Sequence, residues 1–289
     1  MVISGKTRVC GVIGDPIEHT LSPTIHNAAF NHLNLDFVFL AFRVKAADLE
    51  KAIQGMRGLG IHGLNVTMPH KSTVISFLDE VDPIVKFLGS ANTILNNDGR
   101  LSGFNTDGVG ALKALRENGV ELSGKKVLLI GAGGAAKAIA FSLAEEVGEL
   151  VVLNRTSEKA KELAAVLGQR FGKKVVGGPL SSDTIQKNLR DSDILINATK
   201  VGMHPRENQT MVEPQWLRSD LTVMDIVYNP IETRLAKDAK AVGAKVINGV
   251  EMLIYQGAAS FELWTSRSAP IEVMRRAALN KLSGAGASK

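Results

Sequence analysis

The sequence predicts an α/β protein of two domains, an N-terminal, mostly parallel α/β domain and a doubly wound domain after it. Three observations predict this. The 289 residues suffice for two domains of ordinary size. Short apolar runs alternate with amphipathic helical patterns along nearly the whole length, the grammar of βαβ units and parallel sheet. From about residue 124 the alternation changes character, because a strand there runs straight into a glycine turn and a helix.

In the first third, RVCGVIGDP (8–16) reads as a strand ending in a turn. SPTIHNAAFNHLN (22–34) reads as a helix with Ser22 as N-cap and Pro23 at the first helical position. DFVFLAFRV (36–44) is a second strand, and AADLEKAIQGMRGLG carries apolar residues at helical spacing until its glycines. IHGLNVTMP is a third strand. Asp79, Glu80 and Asp82 are expected at a solvated helix end.

In the second part, KKVLLIGAGGAAKAIAFSLAEE reads as strand, glycine turn and helix. Strand ELVVLNRT, helix SEKAKELAAVLGQRF, strand KKVVGG and a helical pattern before strand DILINAT follow. LTVMDIVYNP, ETRLAKDAKAVG and KVINGV complete the alternation. The apolar helix VEMLIYQGAASFELWTS (250–266) comes last and is expected to pack back on the first domain, and LSGAGASK has the composition of a frayed tail.

Composition narrows the class. Net charge is +5, but Lys and Arg are scattered and only 5% of residues are aromatic, so neither a basic stripe nor a stacking platform for nucleic acid is evident. The excess cations suit small anionic ligands equally well. Cys10 is the only cysteine, which excludes an intrachain disulfide and a cysteine-based zinc site. The six histidines show no metal-ligand spacing with carboxylates and read as packing or surface residues. No window has the apolar length of a membrane span and no secretory leader is evident, so a cytoplasmic, membrane-free protein is expected.

The glycine loop carries the strongest local signal. GAGGAA (131–136) follows a strand and opens a helix, the context in which backbone N–H groups approach a pyrophosphate resting on the helix N-terminus. Gly131, Ala132, Gly133, Gly134 and Ala135 are therefore candidate cofactor contacts in a Rossmann-type domain, with small Ala136 suited to helix–strand packing. Dinucleotide sites selective for NAD place a carboxylate at the end of the next strand, roughly 20 residues on. This chain has Asn154, Arg155 and Thr156 there. A 2'-phosphate would meet no repulsion, and a guanidinium and a hydroxyl stand ready to bind it, so NADP is the expected cofactor; the alternative is a plain surface arginine.

Lys71 poses the sharper question. Asn65, Thr67, Pro69 and Lys71 surround the end of the third strand, where ligands of α/β sheets bind, and Pro69 cannot donate to a sheet ladder. Lys71 is either a solvated surface charge or a held proton donor.

The segments GDPIEHTLSPTIHNAAF, NVTMPHK, SANTI, GFNTDGVG, GAGGAA, NRT, NAT, DIVYNP and MLIYQGAASFELW, in this order, resemble the shikimate dehydrogenase family over residues of about 10–275. The resemblance implies NADP-linked reduction of 3-dehydroshikimate to shikimate, on the route to aromatic amino acids, in a cleft between two domains. It implies a substrate-binding domain of residues 1–107 and 249–289 and an NADP-binding domain of 108–248. Lys71 and Asp107 match the family's catalytic pair. Thr20 and Ser22 match its carboxylate grip, Asn65, Thr67, Asn92 and Gln256 its hydroxyl contacts, Tyr228 its substrate-facing tyrosine, and Gly249 its nicotinamide-facing turn. Thr20 stands where the family has serine, and Lys200 and Glu251 replace residues that are usually smaller.

The chemistry agrees with those types. Hydride arriving at a ketone leaves negative charge on oxygen, which an ammonium neutralises and protonates, while a carboxylate keeps that ammonium charged. Asn65, Asn92 and Gln256 each offer donors and acceptors to a polyhydroxylated ligand, and Thr67 and Tyr228 add hydroxyls. Thr20 and Ser22 lie beside a helix N-terminus suited to an anion, and Ser22 serves as cap, as carboxylate ligand or as both. The expected partner is a small-molecule substrate, with a homodimer compatible with the sequence. Two other readings stand beside this one: an NAD-using quinate/shikimate dehydrogenase, and a catalytically silent NADP-binding sensor.

Overall fold

The computed structural model describes residues 3–284, in two compact units: residues 3–106 with 256–284, and residues 107–255. The first unit is built on strands β1 (Arg8–Gly14), β2 (Phe37–Arg43), β3 (Gly63–Val66), β4 (Glu80–Val81), β5 (Thr93–Asn97) and β6 (Arg100–Phe104). They form one sheet in the order β2-β1-β3-β5-β6-β4. The pairs β1–β2, β1–β3 and β4–β6 are parallel, whereas β3–β5 and β5–β6 are antiparallel.

That antiparallel hairpin departs from the simple βαβ reading. Asp98 and Gly99 turn it, both at positive φ (50° and 90°), the backbone that a two-residue hairpin turn of the Asp-Gly kind requires. The acidic residues before it also differ from expectation. Asp79 pairs with Arg57 at 2.7 Å, Glu80 lies in β4 and bonds Arg100 and Ser102, and only Asp82 serves a helix, capping α3 (Pro83–Leu88) through the Ile84 N–H. Asp79 and Glu80 are thus ties along a sheet, and Asp82 alone stands at a helix end.

Helix α1 spans Ser22–His32 and α2 spans Leu49–Gly58. The apolar side of α2, with Leu49, Ile53 and Met56, packs on Ile13, Leu64, Val66 and Ile94 of the sheet. Residues 256–265, the second half of α9 (Gly249–Thr265), belong to this unit, as the sequence predicts for the late apolar helix. Gly63 makes this packing possible: a Cβ there would lie 2.3 Å from Trp264 Nε1, and that indole nitrogen donates to the Ile94 carbonyl at 3.0 Å. Helix α10 (Ile271–Gly284) packs on α1. Residues 282–284, expected to fray, are its last turn, and 285–289 lie outside the described residues.

The second unit opens with α4 (Asp107–Glu117) and alternates β7 (Lys126–Ile130), α5 (Gly134–Ala144), β8 (Glu149–Asn154), α6 (Ser157–Phe171), β9 (Lys174–Pro179) and α7 (Ser182–Leu189). It continues with β10 (Ile194–Asn197), β11 (Thr222–Asp225), α8 (Arg234–Ala241) and β12 (Lys245–Ile247). The sheet order is β12-β11-β10-β7-β8-β9, every pairing parallel, the doubly wound topology. Its central strands β7, β8 and β10 are continuous apolar runs because helices cover both faces. On α6, Ala160, Leu163, Ala164 and Leu167 make the buried stripe at i, i+3, i+4 and i+7. Among the described residues no helix is long and apolar enough to cross a membrane.

Candidate active site

In the first unit the end of β3 is clamped to its neighbours. Thr67 N–H donates to the Ile13 carbonyl, and Asp15 N–H donates to the Met68 carbonyl, both at 3.0 Å, so pairing with the β1 segment persists to Met68. Pro69 has no N–H and the chain turns away, His70 N–H closing the turn on the Thr67 carbonyl at 2.9 Å. The His70 ring is buried, with Nε2 2.7 Å from the Val44 carbonyl, and the Lys71 carbonyl accepts from Ala91 N–H at 2.8 Å. The main chain of Lys71 is thus held on both sides. The side chain is half-buried.

Beside it lies a buried polar cluster. Asn65 Nδ2 reaches Ser260 Oγ (3.0 Å), Thr93 Oγ1 (3.2 Å) and the Asn92 carbonyl (3.3 Å). Asn92 Oδ1 accepts from Thr106 N–H (2.9 Å) and from the Thr93 hydroxyl (3.0 Å), and Asn92 Nδ2 donates to Thr106 Oγ1 (3.0 Å). The fold therefore joins Asn65 and Asn92, while Thr93, Thr106 and Ser260 are members that sequence reasoning missed. A signal for Ser260 was present: it lies one helical turn beyond Gln256, whose carbonyl accepts from the Ser260 hydroxyl at 3.2 Å.

Thr20 and Ser22 are also brought together. The Thr20 hydroxyl donates to Ser22 Oγ at 3.2 Å and its oxygen accepts from Ser22 N–H at 3.3 Å. Ser22 is not the N-cap of α1: Leu21 occupies that position without a side-chain cap, and Ser22 is the first helical residue. The cap that the sequence suggests gives way to this local turn, which buries the Ser22 side chain.

In the second unit, Gly131 ends β7 in a left-handed backbone (φ 121°), and a Cβ there would meet the Ala198 carbonyl at 2.9 Å. The glycine loop thus sits against the end of β10, at the point where strand order reverses and doubly wound sheets take their ligands. Gly133 differs. Its backbone is extended (φ −78°, ψ −176°) and a Cβ would touch nothing within 4 Å, so neither backbone strain nor packing calls for glycine. Its bareness leaves the main chain at the start of α5 uncovered.

At the end of β8, Asn154 Nδ2 donates to the Thr156 carbonyl at 2.9 Å, organising a turn that exposes Arg155 and Thr156. No carboxylate occupies this turn. Asp107 begins α4, buried, where the helix dipole favours an anion; a Cβ on Gly108 would strike Ala138 O at 2.4 Å, so α4 lies tight on α5 at this point. Burial raises the pKa of the half-buried Tyr228 and keeps its phenol neutral. Gly249 is explained by packing, since a Cβ would lie 2.5 Å from the carbonyls of Ile226 and Val227.

Behind the loops after β10 and β11 lies Asp225. Burial raises its pKa to about 6, although Thr233 Oγ1, Val227 N–H and Asn197 Nδ2 all donate to its carboxylate. Asn197 Oδ1 in turn accepts from Thr199 N–H and hydroxyl, tying the two loops together.

Comparison with known proteins matches three family descriptions. Residues 12–94 match the shikimate dehydrogenase substrate binding domain, 113–243 the shikimate / quinate 5-dehydrogenase family, and 249–279 the shikimate 5'-dehydrogenase C-terminal domain. The chain is 47% identical over 283 residues to shikimate dehydrogenase (NADP(+)) of Methanopyrus kandleri, covering 97% of this chain and 98% of that one. A crystal structure of a shikimate dehydrogenase in complex with NADP+ aligns with TM-score 0.91 at 44% identity, over 97% of this chain and 98% of that one. Shikimate 5-dehydrogenase from Listeria monocytogenes, in complex with shikimate and NAD, aligns with TM-score 0.89 at 38% identity, over 95% and 97%.

Proposed function

The chain belongs to the shikimate dehydrogenase family, and from that premise we propose that it catalyses the reversible, NADP-dependent reduction of 3-dehydroshikimate to shikimate, in the cytoplasm, for aromatic amino acid synthesis. The observation that carries this reading is the near full-length identity to an NADP-dependent relative, joined to a glycine loop whose next strand ends without a carboxylate.

NADP(H) fits the second unit. Gly131, Ala132, Gly133, Gly134 and Ala135 would cradle its pyrophosphate, and Asn154, Arg155 and Thr156 would hold the 2'-phosphate, with Gly249 toward the nicotinamide. When bound, the cofactor supplies hydride to the substrate carbonyl carbon and takes it back in the reverse direction. In this reading the remaining work belongs to side chains. Lys71 protonates the developing alkoxide, and Asp107 is its carboxylate partner in the catalytic pair. Thr20 and Ser22 bind the carboxylate, while Asn65, Thr67, Asn92, Tyr228 and Gln256 pair with hydroxyls, so that analogues lacking them are rejected. Residues 1–107 with 249–289 form the substrate side and 108–248 the cofactor side.

Initial rates with shikimate and with quinate, each with NADP and with NAD, test the proposal. Strong preference for shikimate with NADP is the expected result. Preference for NAD with either substrate would assign the chain to the quinate/shikimate branch. NADP binding without turnover in any combination would make it a silent sensor.

A further inference from the structure

The Asn65 side chain is 6% exposed, and its two ends are treated differently. Nδ2 is surrounded by Ser260 Oγ, Thr93 Oγ1 and the Asn92 carbonyl. The carbonyl has no proton to give, while the Thr93 hydroxyl already has Asn92 Oδ1 at 3.0 Å and Ser260 Oγ at 2.8 Å within reach, and the Ser260 hydroxyl has the Gln256 carbonyl at 3.2 Å. A flipped amide would set Oδ1 against the Asn92 carbonyl and would need a hydroxyl proton drawn from its present partner, so the surroundings favour the orientation with Nδ2 inward. At the other end, Asn65 Oδ1 is buried and, among the described residues, accepts no hydrogen bond. A buried acceptor left in this way is costly and calls for a reason, and a ligand donor supplies one.

The packing explains how a serine 195 residues away meets this amide. Trp264 lies on Gly63, and Ser260, four residues earlier in α9, lies on Asn65, two residues further along β3. Four helical residues rise about 6.0 Å and two strand residues about 6.6 Å, so helix and strand stay in step.

We infer that Thr93 and Ser260 are positioning residues that lock the Asn65 amide with Oδ1 toward the ligand, so that this point of the site accepts a hydrogen bond and selects a substrate hydroxyl over an ether, ketone or deoxy centre. The inference rests on the reading that Asn65 contacts substrate.

The test uses the full chain and measures KM and kcat for shikimate with NADP, with melting temperature in parallel, in Asn65→Ala, Ser260→Ala, Thr93→Val, Thr93→Ser and the double variant Thr93→Val/Ser260→Ala. The double variant should raise KM roughly tenfold, the scale of one hydrogen bond, while kcat stays within about threefold. Thr93→Ser, which keeps the hydroxyl, should retain the wild-type KM where the isosteric Thr93→Val does not. Equal KM values for Thr93→Val and Thr93→Ser, alongside a raised KM in Asn65→Ala, would overturn the positioning role and leave the site reading intact. An unchanged KM in Asn65→Ala would overturn both. If the double variant fails to fold, the Thr93→Val and Thr93→Ser pair decides alone.

Discussion

The side-chain amide of Asn27 closes on the main chain of Phe39 from both ends. Its Oδ1 accepts from the Phe39 N–H at 2.8 Å and its Nδ2 donates to the Phe39 carbonyl at 2.9 Å. Phe39 is the third residue of β2, an edge strand of the first unit's sheet. An asparagine on α1 therefore occupies the place where the backbone of another strand would pair, which is one way to blunt a sheet edge.

Replacing Asn27 with Ala should lower stability by about 1–3 kcal/mol, for two lost hydrogen bonds and main-chain groups left bare. It should also open the edge to self-association. Denaturant unfolding and light scattering over a range of concentrations measure the two effects, and a variant of full stability that remains as dispersed as wild type would refute the guard role.

His26, next to Asn27, is fully buried and stacked on Phe39 with centroids 4.4 Å apart, and neither ring nitrogen has a hydrogen-bond partner among the described residues. Burial depresses its pKa from 6.5 to about 3, so the folded state keeps the ring neutral while the unfolded chain protonates near 6.5. The folded state then binds fewer protons between these values, and stability falls as pH drops through that window. His26→Leu should gain on wild type progressively below pH 6.5. Paired urea titrations at pH 7 and pH 4.5 check this; a constant difference between the proteins would contradict it.

Asp225 has the opposite sign. With its folded pKa raised from 3.8 to about 6, the folded state holds the proton more tightly, so the residue's contribution is greatest below 3.8 and is lost as pH rises through 6. Asp225→Asn should therefore become more favourable relative to wild type as pH rises from about 4 to about 6, and level off above that. Unfolding curves of both proteins across this range give the answer.

Lys71→Ala should lower kcat by roughly 10² to 10⁴ with the fold intact, the range for removing a general acid. Turnover by a circular-dichroism-verified variant measures it. Wild-type turnover would remove Lys71 from the mechanism.

Arg155→Ala should raise KM for NADP by about tenfold or more, the scale of a charge-assisted hydrogen bond, and change KM for NAD little. Equal losses with both cofactors would mean that the arginine does not read the 2'-phosphate.

Several of these residues were legible because their reasons are local. The glycine loop declares itself by strand before and helix after, and Gly133 proved to be a glycine that neither strain nor packing requires. Pro69 marks the end of pairing at β3 whatever surrounds it. The β5–β6 hairpin was signalled by Asp98-Gly99 yet missed, since the alternation of strands and helices around it favours a mostly parallel reading that names no hairpin. Ser22 resembled an N-cap by type and position, but the Thr20 hydroxyl starts the turn and moves the cap to Leu21.

The sequence alone determined the two α/β units, the late helix that returns to the first of them, and the family, because periodicity, turn chemistry and motif order are written within short windows. The tertiary structure added what depends on distant segments meeting. Asn65, Thr93 and Ser260 share a buried cluster only because Gly63 admits Trp264 and thereby sets α9 in register with β3. Asn27 guards an edge only because β2 ends the sheet. Such contacts arise from the meeting of surfaces far apart in the chain, and no short-range pattern encodes which buried polar atoms will find each other and which, like Asn65 Oδ1, will not.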